Sequence, residues 1–401
     1  MIIIKIRVPK NLIIVFLALL VWMPPLHTPV QVRLLLTGAY TVFVLLLWNT
    51  PLLLKDRYIQ IFLAYGMVML FSEATYEKDM FGCALVLMYI LVVVTIWATM
   101  LKYVNSRKFF QNALLLCIMF YLLLDFYFAF LTVNGSGRTP TGQPLYFSGD
   151  KFQTCYVYIV FLTLLFLRPG TRKIAQILAI LFGIFYAFYV DCNTGAIAIL
   201  TYGMIVLALP RFLLQKSRIY WLLGCLIALN YVILFLQIQT VFPFLTYLIQ
   251  VVLSRDITMS GRFRIYSHIP EIMAGHWVFG FGYTSMSVGR FTGYGNQLGS
   301  INMQNGLLQI LYTNGLVGFG LYVLLMLIVF VRLNSIKNSQ TKLVLTAALS
   351  AFLIAAIVEI PFDYGAYHII IGLILLESRD AHCFEHGWTL RFKKLFSFKE
   401  T

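Results

Sequence analysis

Apolar residues fill runs of close to twenty positions along most of this 401-residue chain, and short clusters of Lys, Arg, Gly and Pro separate them. Within each run the apolar positions follow neither the strict alternation of a barrel strand, kept up over about 10 residues, nor a single helical stripe. They are apolar on all sides, as in a helix surrounded by lipid and other helices. A helix needs roughly 20 such residues to cross a bilayer. Runs near 11–24, 34–54, 58–75, 81–101, 109–133, 152–168, 174–191, 194–210, 219–238, 305–331, 342–360 and 364–378 therefore predict about twelve spans. The expected fold is an all-α polytopic membrane protein. Residues 1–238 hold the first nine helices, 239–303 form one large external loop carrying short helices, 304–380 hold the last three, and 381–401 make a basic amphipathic tail.

Composition agrees, with 61% hydrophobic and 11% charged residues, and the mean hydropathy is +0.86. The net charge of +15 invites a nucleic-acid reading, but the charges sit in short loops between apolar runs, which is the pattern of membrane orientation. With the N-terminus inside, alternate loops gather most of the 30 basic residues, leaving Arg33, Lys78, Arg138, Lys151, Arg255, Arg262, Arg264 and Arg290 outside. Both termini are then cytoplasmic. The basic start and apolar core of residues 1–24 imitate a secretory signal; with Trp22-Met23-Pro24-Pro25 where a small-residue cleavage site would stand, they are expected to remain as the first span.

The one long polar interruption, about Gln239 to Met303, concentrates charge in a chain built to avoid it. It holds Arg255, Asp256, Arg262, Arg264, His268, Glu271, His276 and Arg290. Guanidinium forks match phosphate oxygens and stay charged at any working pH, so Arg262 and Arg264, with Arg255 and Arg290, are candidates to bind a pyrophosphate. The alternative is solvated loop charge meeting lipid phosphates. His268, Glu271 and His276 are candidate general bases, each equally readable as a hydrogen-bonded surface residue. Pro270 argues against one continuous helix through this stretch and is expected to open a second short one. The pair Gly280-x-Gly282 is a weak phosphate cradle and more simply a turn.

Polar residues at span ends come next. Gln304 and Asn305, candidates to bind substrate, open the tenth run, and with Asn314-Gly315 and Gly318-x-Gly320 they suggest close packing beside a water-filled cavity, simple packing glycines explaining the second half about as well. Asp125 lies inside the fifth run, where charge is costly; it either lines an acceptor cavity or makes a structural hydrogen bond. Asp191, Glu359 and Asp363 stand at outer ends and can gather around the long loop. Six cysteines occur singly and read as packing residues, and the aromatic-basic tail from Trp388 reads as an interfacial segment on anionic lipid. His382 and His386, at i and i+4, lack a further ligand set, so no metal is expected.

Ser260-Gly261-Arg262 with Tyr266, then Gly280-x-Gly282, then Asn305-Gly-Leu-Leu and Asn314-Gly-Leu-Val-Gly318, resembles the signature of the O-antigen polymerase and O-antigen ligase superfamily over roughly 258–320. The resemblance implies a GT-C-like helical frame in a bacterial cytoplasmic membrane, without cofactor. It implies glycan transfer from undecaprenyl pyrophosphate to a sugar hydroxyl of a second lipid-linked unit, on the outer face, with Arg262 and Arg264 at the pyrophosphate. Partners would be the lipid-linked donor and acceptor and a chain-length regulator, with no nucleic acid. Gln304-Asn305 stands where the family commonly has His-Asn, and Asn193 where it commonly has Arg. That favours polymerase over ligase and leaves the base unassigned. A flippase of the same lipid-linked sugar is the rival from another class.

Overall fold

A computed structural model describes residues 10–25, 28–47, 55–132, 137–138, 144–214, 218–236, 242–247, 250–251, 265–266, 268–283 and 302–379. Among the described residues, twelve helices build the frame. They are α1 (Lys10–Trp22), α2 (Val30–Leu47), α3 (Arg57–Ser72), α4 (Met80–Lys102), α5 (Arg107–Leu131), α6 (Lys151–Phe166), α7 (Lys173–Tyr189), α8 (Asn193–Ala208), α9 (Arg218–Leu236), α10 (Gly306–Ser335), α11 (Ser339–Ala355) and α12 (Gly365–Glu377). Each falls on one predicted apolar run. Among the described residues, four helical stretches are long and apolar enough to cross a membrane: Arg57–Glu77, Met80–Lys102, Val104–Leu131 and Gly306–Ser335. The other eight helices have 13–19 residues, and at about 1.5 Å per residue fall short of a full hydrocarbon core of roughly 30 Å. The only described strands, Gly137–Arg138 and Pro144–Leu145, pair antiparallel in the loop between α5 and α6.

Large apolar side chains remain uncovered along the bundle, among them Leu35, Leu123, Leu131, Ile174 and Met204. Exposed apolar surface on this scale is tolerated where the surroundings are hydrocarbon. The interior is filled by α12, α11 and α6, whose residues are buried nearly throughout.

Charge separates the two ends. At one, the Asp56 carboxylate caps α3 by accepting from Tyr58 N and pairs with Arg379 beyond α12 and with Arg332 near the end of α10, the latter at 3.6 Å. Arg107, opening α5, lies 3.9 Å from Glu377 and donates to the Arg379 carbonyl, while Gln111 donates to Glu377 at 2.8 Å. Arg168, just past α6, donates from Nε and Nη2 to Asn112 at 3.0 and 2.9 Å. Segments carrying Lys55, Arg57, Arg107, Arg168, Arg332 and Arg379 therefore share a basic end. Opposite it, Tyr121 donates to the Met23 carbonyl, Lys151 pairs with Asp191 at 3.4 Å, and the Tyr364 hydroxyl donates to Asp150 at 3.0 Å. The candidate site is at this second end.

Candidate functional site

The site is built on a helix that the sequence pattern reads as unbroken. At Gly315 the backbone leaves the helical region (φ 62°, ψ −167°), splitting α10 into 306–314 and 316–335. A break at membrane depth exposes peptide groups whose loss of partners costs several kcal/mol each. Here the segment 277–282 supplies the partners. Phe281 N and Gly282 N donate to the carbonyls of Tyr312 and Thr313 at 2.9 and 3.0 Å, and Leu316 N and Val317 N donate to those of Trp277 and Val278 at 2.8 and 3.1 Å. So close an approach requires glycine: at Gly280 (φ +73°) a Cβ would lie 2.5 Å from the Tyr312 carbonyl oxygen, and at Gly315 2.3 Å from that of Val278. Gly280-x-Gly282 is thus a backbone splice into α10, and Gly282 also abuts Glu73 in the π-helical turn Glu73–Glu77 that ends α3.

Around this splice, residues 265–266 and 268–283 form a roof. Pro270 stands in the first turn of the short helix Ile269–Ile272, as expected. Ile265, Tyr266, Ile269, Ile272, Met273 and Phe281 pack with Met303, Leu308 and Tyr312 into a small apolar core of their own. The Ser72 hydroxyl donates to the Phe279 carbonyl, Phe71 meets Phe279 edge-on at 4.9 Å, and Asn314 donates to the Tyr65 hydroxyl at 2.8 Å, so the roof, α10 and α3 are tied together.

The sequence-predicted site residues divide. His268 and Glu271 are exposed on the roof. His276 is half-buried, stacked on Phe281 with ring centroids 3.9 Å apart and edge-on to Tyr76 at 4.7 Å, so its ring is a packing element of the roof. Asn305 is fully buried: its Oδ1 accepts from Leu308 N at 2.9 Å, capping α10, and its Nδ2 donates to the Ile357 carbonyl at 2.8 Å. It ties α10 to the turn after α11 rather than facing a ligand. Gln304, half-buried in a left-handed conformation (φ 51°), donates to Asn302 at 2.8 Å, and its carbonyl accepts from Tyr266.

Asp125 takes the structural alternative. It is 0% exposed; Oδ1 accepts from Ser148 N at 2.9 Å, and Oδ2 from Ser148 Oγ at 2.7 Å and Thr154 Oγ1 at 2.6 Å. The carboxylate is used up in holding the loop before α6, so it does not line an acceptor cavity. Arg255, Arg262, Arg264 and Arg290 lie outside the described residues.

The group that stands out is Asp363, in the 3-10 turn Pro361–Asp363 between α11 and α12. Among the described residues its carboxyl has no hydrogen-bond or ion-pair partner. It is exposed to a water-sized probe, yet its charge acts on Tyr65 of α3, Tyr89 of α4, Tyr283 of the roof and Tyr364 beside it. Protein packed around it desolvates the carboxyl while leaving it within reach of solvent. That enclosure pushes the Asp363 carboxyl up to about 7. The Asp363 charge, then burial, holds the Tyr283 phenol well above its ordinary value. Tyr89 stacks near Tyr283 with centroids 6.0 Å apart and shares a 2.9 Å hydrogen bond with His368 Nε2. Asp150, which caps α6 through Gln153 N at 2.8 Å, receives the Tyr364 hydroxyl, and burial raises its carboxyl against those bonds.

A carboxyl that titrates near neutrality can accept a proton there and pass it on. Three of the four tyrosine hydroxyls are already bonded, Tyr65 to Asn314, Tyr89 to His368 and Tyr364 to Asp150, so the rings offer a ligand chiefly apolar and aromatic surface. Sequence reasoning placed Asp363 at an outer helix end without a role; the missing signal was three-dimensional, since Tyr65, Tyr89, Tyr283 and Asp363 are scattered over almost the whole chain. Among the described residues, no group of three or more His, Cys, Asp and Glu side chains could hold a metal ion. Neither a known protein family nor any curated protein matches the chain.

Proposed function

We propose that this protein is a membrane glycosyltransferase that polymerises lipid-linked oligosaccharide units into a surface polysaccharide. In this reading α1 to α12 all cross, with the basic end cytoplasmic and the roofed end outside. The observation that carries it is Asp363, a solvent-exposed carboxyl with no hydrogen-bond or ion-pair partner among the described residues, within electrostatic reach of Tyr65, Tyr89, Tyr283 and Tyr364. The same roof is continuous in sequence with the arginine segment.

The chemistry then has a place for each group. Arg262 and Arg264 hold the pyrophosphate of the donor and stabilise its charge as the bond between sugar C1 and phosphate oxygen breaks. The acceptor hydroxyl, bound among the tyrosines, forms the new bond to C1. Its proton passes to Asp363, which returns it to water or to the departing diphosphate. His268 and Glu271, exposed on the roof, are the remaining candidates for that proton.

The test is purified protein incubated with lipid-linked repeat units and nothing else. Lengthened chains are expected, and Arg262→Ala should abolish them with expression unchanged. Transfer that occurs only when a second kind of acceptor is added would replace polymerisation by ligation, and an unchanged ladder from Arg262→Ala would refute the assignment.

A further inference from the structure

At the basic end, far from the roof, a cavity of about 520 Å³ opens between the ends of α6, α7, α8 and α11. Its rim carries Arg168, Thr171 and Lys173, and its floor Ile177, Leu207 and Leu343. We propose that it binds the headgroup of an anionic phospholipid, with the phosphodiester at the rim and the start of an acyl chain along the floor. The proposal needs only that the protein sits in a bilayer, and is independent of the glycan-transfer reading.

Charge complementarity comes first. Arg168 and Lys173 line the cavity, Arg172 adjoins it, and no Asp or Glu lines it. The Arg168 guanidinium is held in place by donating from Nε and Nη2 to Asn112, which leaves Nη1 for another acceptor. Basic pockets between helices at this level of a membrane are the recurrent sites for anionic headgroups.

Backbone geometry adds to this. Helix α7 has 17 residues and begins at Lys173 without a side-chain cap, its first helical bond running from Gln176 N to the Arg172 carbonyl at 3.1 Å. The first-turn amides therefore lie at the rim with no acceptor in the helix, and the helix dipole favours negative charge there.

The floor selects lipid over a free anion. Ile177 and Leu207 are 42% and 44% exposed, and the apolar surface continues outward along α7 through Ile174, Leu178 and Leu181. Inorganic phosphate would leave that floor uncovered. A lipid satisfies rim and floor together.

Native mass spectrometry of the full chain, purified with equal phosphatidylglycerol and phosphatidylcholine, reads the retained lipid directly. Retained phosphatidylglycerol is expected, with occupancy falling about 25-fold in Arg168→Gln/Lys173→Gln, since each of the two cations near a headgroup contributes roughly a fivefold factor. Because Arg168 also anchors Asn112, Lys173→Gln alone is the second variant and should lose part of the preference with no change in thermal unfolding. Lys337→Gln, another exposed cation at the same end, should retain it all. Equal retention of the two lipids would overturn the proposal, as would full retention by the double variant or an equal loss in Lys337→Gln. Thermal protection by inorganic phosphate matching that by phosphatidylglycerol would overturn the assignment to lipid.

Discussion

The splice between the roof and α10 makes the sharpest prediction. Replacing Gly280 by alanine forces a Cβ to within 2.5 Å of Tyr312 O and Thr313 C, both backbone atoms that cannot rotate away. The left-handed conformation alone costs alanine about 1 kcal/mol. The close approach must also be relieved, and the nearest relief is to lose the bonds from Phe281 N and Gly282 N, each about 1–3 kcal/mol when the donor stays buried. The perturbation is on the order of 3–7 kcal/mol, and its lower end alone is about a hundredfold in exchange. Gly275→Ala is the matched control, since Gly275 also has positive φ (+80°) but nothing within 4 Å of its would-be Cβ. It should cost only the conformational part. Amide hydrogen exchange on the purified protein reads the difference locally: at 1.4 kcal/mol per tenfold, the amides of Phe281 and Gly282 should exchange about a hundredfold faster in Gly280→Ala. Exchange in Gly275→Ala should rise about tenfold or less. If both variants exchange alike, or Gly280→Ala keeps wild-type protection, the roof does not depend on this contact.

Other consequences follow from particular side chains. If Asp363 receives the acceptor proton it must be ionised, so transfer should rise with pH through about 7, and Asp363→Asn should lose most of the rate and this limb of the profile. The sign for stability is opposite: a carboxyl raised in the folded state favours folding fully below its ordinary value of 3.8 and progressively less as pH rises through about 7. Thermal unfolding of Asp363→Asn should therefore be less pH-dependent across that window than wild type. Asp125→Ala strands Ser148 N, Ser148 Oγ and Thr154 Oγ1 in a dry interior and should destabilise by roughly 3 kcal/mol, seen as a lowered unfolding temperature in detergent; an unchanged temperature would mean water replaces the carboxylate. Asp56→Ala leaves buried Arg379 without its carboxylate and removes the α3 cap, and should cost about 3–5 kcal/mol by the same measurement, a loss that added salt does not reproduce in wild type because the pair is screened from solvent.

The long segment shows where sequence reasoning worked and where it stopped. Pro270 opening a short helix follows from local geometry, because proline fits a first turn and breaks an interior one. The role of Gly280-x-Gly282 does not follow, because a turn and a splice into a distant helix need the same two glycines. Likewise Asn314-Gly315 hinted at close packing, but only the docked carbonyls of Trp277 and Val278 explain how a helix can break there. Asp125 and Asn305 are polar residues at apolar depth, and the sequence marks both as costly without saying whether a ligand or the chain itself repays the cost. In both cases the chain does.

What the sequence by itself determined is the class of molecule: a bilayer's thickness and its lack of hydrogen-bonding partners leave long apolar runs only the helix, and the distribution of Lys and Arg sorts the connecting loops. What only the tertiary structure decided is which polar groups are spent and which are left over. Asp125, inside an apolar run, and Asp363, at the end of one, are both carboxylates that the sequence marks as costly without assigning a partner. One is saturated by Ser148 and Thr154, and the other has no such partner among the described residues while its charge reaches Tyr65, Tyr89 and Tyr283 from distant parts of the chain, because hydrogen-bond satisfaction depends on neighbours in space that periodicity along the chain does not encode.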